Sequence, residues 1–217
     1  MSNLVLLSGG LDSATLLLQL KESGAHVHAL IFRYNQPHKI EVEHAMRLCE
    51  QHKIGYTIHE FDLPKSGLLC ERPSTPVIEG RNATMISIGA AYACTWRLRS
   101  FAGENVKRLY IATNKDDQSL FPDCTIEFLD AMRDALWAGY EVQLKYPFAG
   151  WTKSQVVEES IRLGLKKNET WSCYAPDEAV FSGEVYRCLE CLPCRAIDDA
   201  RASIQTSSLK QGEASDK

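Results

Sequence analysis

The sequence predicts an α/β fold, a doubly wound and mostly parallel five-stranded sheet with a small C-terminal lobe built around four cysteines. Three observations lead there. Strand-like and helix-like apolar patterns alternate from the N-terminus. The first strand–helix junction carries the glycine-rich stretch SGGLDS, residues 8–13. Near the other end, Cys173, Cys188, Cys191 and Cys194 follow the pattern C-x14-C-x2-C-x2-C.

Residues 3–7 read as a buried strand, and residues 13–21 as a helix stopped near Gly24. HVHALIF (26–32) alternates into a second strand. Residues 40–52 place Ile40, Ala45, Leu48 and Cys49 at helical intervals, and YTIHEF (56–61) is a third strand. The connection over 62–81 carries Pro64, Gly67, Pro73, Pro76 and Gly80, and so long a loop is usually functional. Residues 82–97 are rich in small and apolar side chains, which suits a helix buried on most sides. A fourth strand is expected over 108–113, a helix over 125–137 and a short fifth strand over 143–146. Thr152 and Gln155 form a capping-box pattern for a helix reaching about Leu163, with Gly164 ending it. This divides the chain into a nucleotide-binding domain (1–165), a helical cysteine lobe (166–205) and a Ser/Gly/charge-rich tail (206–217) expected to be disordered.

At 217 residues and 45% hydrophobic, the chain can bury a core without disulfide staples. Its formal charge of −4 supplies no global basic field, so nucleic acid is not expected as a direct partner. No apolar run approaches the roughly 20 residues that span a bilayer, and MSNLVLLSGG lacks the basic region of a signal peptide. A cytoplasmic location is expected. In that reducing compartment, eight cysteines point to metal binding or buried thiols.

The loop at 8–13 carries the first chemistry. Glycines let a backbone approach an anion, and the helix N-terminus behind them adds N–H donors and positive dipole character. The stretch lacks the lysine of a Walker A loop, which grips the β and γ phosphates, and it is not GxGxxG. The cysteine cluster carries the second. Four thiolates within 22 residues can close a tetrahedral zinc site, and such a closed site is structural. An iron–sulfur cluster and four packed thiols without metal are the other readings of that spacing. Cys49, Cys70, Cys94 and Cys124 are scattered and read as small buried hydrophobes.

SGGLDS resembles the PP-loop, SGGxDS, of the ATP pyrophosphatases, which cleave ATP between the α and β phosphates. Combined with the cysteines, the chain resembles the 7-cyano-7-deazaguanine synthase (QueC) family over roughly residues 4–201. FRYNQPHKIEVEHA is similar to that family's YGQRH…E block, TPVIEGRNATMISIGAAYA to its P-x-x-x-GRN block, and FPDCTIEFLDAM to its YPDCR-x-EF block. PFAGWTKSQVV is similar to the block containing (S/T)K, and WSCY…C-x2-C-x2-C to the zinc segment.

The resemblance implies the Rossmann-like fold of adenine nucleotide alpha hydrolases, one structural zinc ion per chain, and ATP with Mg2+ as co-substrate. The implied reaction joins 7-carboxy-7-deazaguanine to ammonia through an acyl-adenylate and then an amide, giving the nitrile, AMP and pyrophosphate. Family members commonly associate as dimers, so the resemblance leaves a homodimer open, and sequence alone gives no oligomeric state. Ser8, Gly9, Gly10, Leu11, Asp12 and Ser13 are implied to bind ATP, and Asp12 has a second reading as a magnesium holder. Asp12, Arg81 and Lys153 are the implied catalytic groups, and Tyr34, His38, Arg81, Asn82 and Asp123 the implied substrate contacts. Arg81 suits a phosphate or the substrate carboxylate, or a solvated loop. Lys153 lies in a first helical turn, where the dipole disfavours a cation, which suits an anion contact. Asp123 suits either the deazaguanine edge or a helix cap, and Trp171 either stacking or packing.

Two departures stand out. Asn35 and Pro37 replace the usual Gly and Arg, and Leu189 replaces a glycine inside the cysteine knuckle. The first leaves room for an acceptor other than ammonia, such as a protein amine in a defence system. A tRNA-acting PP-loop ligase and an inactive zinc-stabilised nucleotide-binding module are the remaining readings.

Overall fold

The structure is a computed structural model and describes residues 2–34, 40–63, 80–96, 107–174, 177–178 and 185–215. The elements run β1 (Ser2–Leu7), α1 (Leu11–Glu22), β2 (His26–Arg33), α2 (Ile40–Gln51), β3 (Gly55–Glu60), α3 (Arg81–Trp96), β4 (Lys107–Tyr110), α4 (Ile126–Tyr140), β5 (Val142–Lys145) and α5 (Lys153–Arg162). A two-residue-per-strand hairpin, β6 (Asp177–Glu178) and β7 (Val185–Tyr186), and the helix α6 (Leu192–Ser215) complete them.

The five main strands form one sheet in the order β3-β2-β1-β4-β5, every neighbouring pair parallel. Alternation along β1 shows why Leu4 to Leu7 are all apolar. Val5 and Leu7 pack with Leu17 of α1, Ala45 of α2, Val157 of α5 and Ile197 of α6. Leu4 and Leu6 face the opposite layer, with Ile86 of α3 and Leu129 of α4. A strand covered on both faces has no solvent side to make polar. Ile197 and Ala200 belong to the first layer, so the cysteine-bearing lobe shares the main core through α6.

The chain leaves β1 toward β2 and β3, then crosses back to place β4 on the other side of β1. That reversal opens a crevice at the carboxyl ends of β1 and β4, where open parallel sheets bind ligands. The loop at 8–13 and the segment after Tyr110 both lead into it.

Several boundaries differ from expectation. β4 ends at Tyr110; Ile111 N makes one more bond to the Lys145 carbonyl of β5 (3.0 Å), and Ile111 to Thr113 line the crevice. α4 runs three residues past Trp137 and stops at Glu141 in the left-handed region (φ 55). Its last turn exposes Trp137 and Tyr140, and apolar periodicity marks only the buried face of a helix. Residues 206–215, expected to be disordered from composition, carry helical backbone as the end of α6. Extending an existing helix adds a hydrogen bond per residue without a new nucleus. The Thr152–Gln155 capping box is present at α5, and Gly164 follows it at φ 74. Among the described residues no helix is long and apolar enough to cross a membrane.

Candidate functional site

The crevice holds a cavity of about 270 Å³ whose wall includes Ser8, Gly10, Leu11, Asp12 and Ser13. Gly10 is the N-cap of α1 in extended conformation (φ −76, ψ 166), so the helix N-terminus opens on the cavity. The loop is braced internally. Ser8 Oγ lies 3.0 Å from Ser13 Oγ and accepts from Gly10 N at 3.2 Å. The lobe braces it from outside: Leu11 N donates to Ser172 Oγ (3.2 Å) and Trp171 N to the Gly9 carbonyl (2.9 Å).

Gly9 plays a different part from its neighbours and is absent from the cavity wall. It sits at φ 89, and a Cβ there would stand 2.0 Å from the Glu41 carbonyl oxygen. Its lack of a side chain lets the first turn of α2 press directly on the loop.

Asp12 is held from two directions. Lys153 Nζ donates to its Oδ1 and Oδ2 at 2.8 and 2.7 Å, and Asn114 Nδ2 to Oδ2 at 3.0 Å. Asn114, fully buried, also donates to Asp117 Oδ2 at 2.7 Å. Asp116 accepts from Lys153 N at 2.8 Å, placing a carboxylate at the N-terminus of α5 where the dipole favours it. Three carboxylates therefore surround one lysine. Burial opposes the Lys153 charge, but Asp12 and Asp117 outweigh it and raise its pKa. Burial pushes Asp117 up to about 6, helped by Asp12 and opposed by Lys153.

The opposite wall carries Tyr34, Glu41, Arg81, Asn82 and Tyr174. Arg81 begins α3 and hydrogen-bonds the Tyr34 side chain. Burial works against its charge, and the neighbouring Tyr34, Tyr174 and Glu41 more than offset that. The solvated-loop reading of Arg81 therefore fails. Burial pushes Glu41 up to about 7, with Arg81 pulling the other way. Asn82 N donates to Asp123 Oδ2 at 3.0 Å, and Asn82 Nδ2 to the Asp123 carbonyl at 3.3 Å. Asp123 thus caps the start of α3 and is not among the residues on the cavity wall. His38 lies outside the described residues, as do Asn35 and Pro37.

Trp171 is both buried and on the cavity wall; its ring lies 5.7 Å from that of His44, and its Nε1 donates to the Cys173 carbonyl. From there the chain enters the four-cysteine cluster, a candidate metal site. The sulfurs of Cys173, Cys188, Cys191 and Cys194 all lie within 4.8 Å of one another, with Cys173 Sγ 3.5 Å from Cys188 Sγ and 4.0 Å from Cys191 Sγ. Four sulfurs bound at about 2.3 Å to one tetrahedral ion would stand about 3.8 Å apart, so the donor set fits a single metal. Backbone N–H groups already point at the sulfurs: Cys188 N at Cys173 Sγ and Cys191 N at Cys188 Sγ, both 3.3 Å. Leu189 takes the knuckle turn at φ 61. Leu192, Pro193 and Ala196 of α6 then return to the cavity wall, so the four-cysteine lobe shapes one side of the crevice.

Of the site residues expected from sequence, the structure gathers Ser8, Gly10, Leu11, Asp12, Ser13, Tyr34, Arg81, Asn82 and Lys153 on one cavity. Sequence reasoning missed Glu41, Asn114, Asp116 and Asp117. The signal was available for the last three: a polar NKDD directly after the fourth strand, on the same sheet edge as SGGLDS.

A sequence profile of the family "Queuosine biosynthesis protein QueC" matches residues 2–205. The 7-cyano-7-deazaguanine synthase of Archaeoglobus fulgidus is 32% identical over 213 residues, covering 89% of this chain and 83% of that protein. The enzyme of the same name from Synechococcus sp. is 33% identical over 220 residues, covering 91% of each. Among solved structures, the U34-tRNA thiolase NcsA of Methanococcus maripaludis superposes with a TM-score of 0.53 at 18% identity, covering 81% of this chain and 61% of that one. NMN synthetase of Francisella tularensis gives 0.52 at 18% identity, covering 92% and 76%. Both structural likenesses concern the fold alone.

Proposed function

The chain belongs to the QueC family, and from that premise we propose that it is an ATP-dependent 7-cyano-7-deazaguanine synthase, a carbon–nitrogen ligase acting on 7-carboxy-7-deazaguanine. The observation that carries the reading is one cavity with two unlike walls: a lysine-free phosphate loop whose Asp12 is held by Lys153, and a half-buried arginine among tyrosines.

A carboxylate resists amines because its oxygen is a poor leaving group. Attack of that oxygen on the α phosphorus of ATP makes an acyl-adenylate and releases pyrophosphate. Ser8, Gly10, Leu11 and Ser13 at the N-terminus of α1 cradle the phosphates, and Lys153 offers the departing pyrophosphate a buried cation. Arg81 holds the substrate carboxylate or the α phosphate in line, assisted by Tyr34 and Asn82 on the same wall. Ammonia then displaces AMP to give the amide. Adenylation of the amide oxygen and loss of a second AMP give the nitrile. Asp12, Asp116 and Asp117 are hard oxygen donors that suit Mg2+, which supplies charge neutralisation on the triphosphate. Zn2+ suits the four-sulfur centre, where its chemistry is structural. We assign ATP chemistry to residues 1–165 and metal holding to residues 166–205.

Incubation with 7-carboxy-7-deazaguanine, ATP, Mg2+ and ammonium tests the reading, with mass spectrometry of the products. The expected products are the nitrile, AMP and pyrophosphate. Accumulating acyl-adenylate without nitrile overturns it in favour of transfer to a different amine.

A further inference from the structure

The synthase reading needs a second substrate in a form that can attack. At neutral pH ammonia is held almost wholly as ammonium, which has no lone pair. Something in the cavity has to attract that cation and remove a proton. Lys153 and Arg81 are cations and would repel it. Asp12, Asp116 and Asp117 already face Lys153, Asn114 and the α5 N-terminus, and the synthase reading gives their remaining oxygens to Mg2+.

Glu41 is the acidic group left over. It stands in the first turn of α2, half-buried, on the wall that carries Arg81 and Tyr174. Among the described residues its carboxylate makes no side-chain hydrogen bond or ion pair. Its backbone carbonyl is the atom that forbids a Cβ at Gly9, so the residue abuts the phosphate loop itself. Glu41 is also one of the residues on the cavity wall, so an acidic residue stands where the cavity and the phosphate loop meet.

We propose that Glu41 receives the nitrogen nucleophile, binding ammonium in the cavity and taking a proton from it as ammonia attacks the acyl-adenylate. The inference rests on the synthase reading. The step balances simply. One N–H proton of ammonium passes to the carboxylate, and the freed lone pair forms the C–N bond at the acyl carbon. The resulting tetrahedral adduct loses a second N–H proton to solvent, and the carbon–oxygen bond to AMP breaks with its electron pair on the phosphate. Burial supports the role by raising Glu41 from its ordinary 4.5 to about 7, and each unit makes it a tenfold better proton acceptor. The charged and titratable groups that face it are Arg81 of α3, which keeps part of its carboxylate character, and Tyr174 of the lobe.

The test separates the two halves of the reaction in Glu41→Gln. Exchange of labelled pyrophosphate into ATP, dependent on 7-carboxy-7-deazaguanine, reads adenylation. Amide and nitrile formation over a series of ammonium concentrations reads nitrogen use. Hydroxylamine, an uncharged nucleophile near neutral pH, bypasses the need for a base. The expected result is exchange within about threefold of the parent, ammonium-dependent product down about 100-fold, and hydroxamate formation retained. Glu41→Asp, which keeps a carboxylate on a shorter stem, should recover part of the ammonium-dependent rate. The inference is overturned if ammonium and hydroxylamine products fall together, if exchange falls with them in both variants, or if ammonium use is unchanged. Absence of exchange in the parent protein would instead bring down the synthase reading itself.

Discussion

Lys153 Nζ grips both carboxylate oxygens of Asp12, at 2.8 and 2.7 Å, across 141 residues of sequence. Both side chains are about one-sixth exposed or less, so the pair is shielded yet open to the cavity. The grip places a cation beside the loop at 8–13, at a helix N-terminus where the dipole alone would disfavour it. Lys153→Met should therefore lower pyrophosphate exchange by about 10²- to 10³-fold, the usual cost of removing one preorganised donor from developing charge. Circular dichroism should remain that of the parent. Exchange within a few-fold of the parent would reduce Lys153 to a structural partner of Asp12.

Asp117 makes the same cluster sensitive to pH. Its pKa rises from 3.8 to about 6 in the fold, so between those values the native state holds a proton that the unfolded chain has lost. Stability then falls as pH rises through that window, by up to about 2–3 kcal/mol, and levels off above it. Asp117→Asn keeps an oxygen for the Asn114 donors and removes the titration. It should be more stable than the parent at pH 7–8, the two converging below about pH 4, while adenylation drops. Urea denaturation at a series of pH values measures this, and a parallel pair of curves would refute it.

Legibility follows sequence distance. The strand–loop–helix at 8–13 is readable because every residue that shapes it is local, and the thiols of Cys188, Cys191 and Cys194 are readable because their spacing fits one ion. The Lys153–Asp12 pair is readable only as a cation at odds with its helix, since its partner lies in another element. Asp116 and Asp117 are marked by NKDD after the fourth strand, but their tie to Asp12 runs through Asn114 to another element, which sequence does not show. Glu41 is hidden in a charge-rich helix turn whose burial depends on the packing of α2 against Gly9. Asp123 has two readings in sequence, and the Asn82 N–H at 3.0 Å shows it capping α3.

The cysteine knuckle stores a small strain that can be removed. Leu189 sits at φ 61 and is 61% exposed, so it packs against little and carries the left-handed penalty of about 1–2 kcal/mol. Glycine recovers that and gives back about 0.5–1 kcal/mol of chain entropy. Leu189→Gly should raise the stability of the metal-loaded protein by about 0.5–1 kcal/mol and slow zinc loss to a chelator. An unchanged or faster loss would show that the turn is not strained.

Cys191 is buried among the other three cysteines of the cluster, and its Sγ accepts from Tyr174 N at 3.5 Å. Cys191→Ser should take metal content from about one zinc ion per chain to near none, because a closed four-sulfur site fails when one thiolate is missing. The lobe also supplies Leu192 and Pro193 to the cavity, so ATP binding should weaken alongside. Full zinc occupancy in this variant would refute the four-sulfur assignment.

Gly9 and Gly24 separate backbone conformation from steric contact. Both have positive φ, 89 and 76, and both would be strained as alanine. An alanine methyl at Gly24 would meet nothing within 4 Å, whereas at Gly9 it would lie 2.0 Å from the Glu41 carbonyl oxygen and 3.2 Å from Ala45 N. Those atoms are helix backbone and can yield only if α2 moves. Gly24→Ala should cost about 1–2 kcal/mol, and Gly9→Ala about 3–5 kcal/mol or the fold itself. Denaturant titration of the two variants compares them directly, and equal losses would mean that α2 does not press on the loop. Because α2 also carries Glu41, a folded Gly9→Ala protein should lose ammonium use more than hydroxylamine use, as displacement of that carboxylate requires.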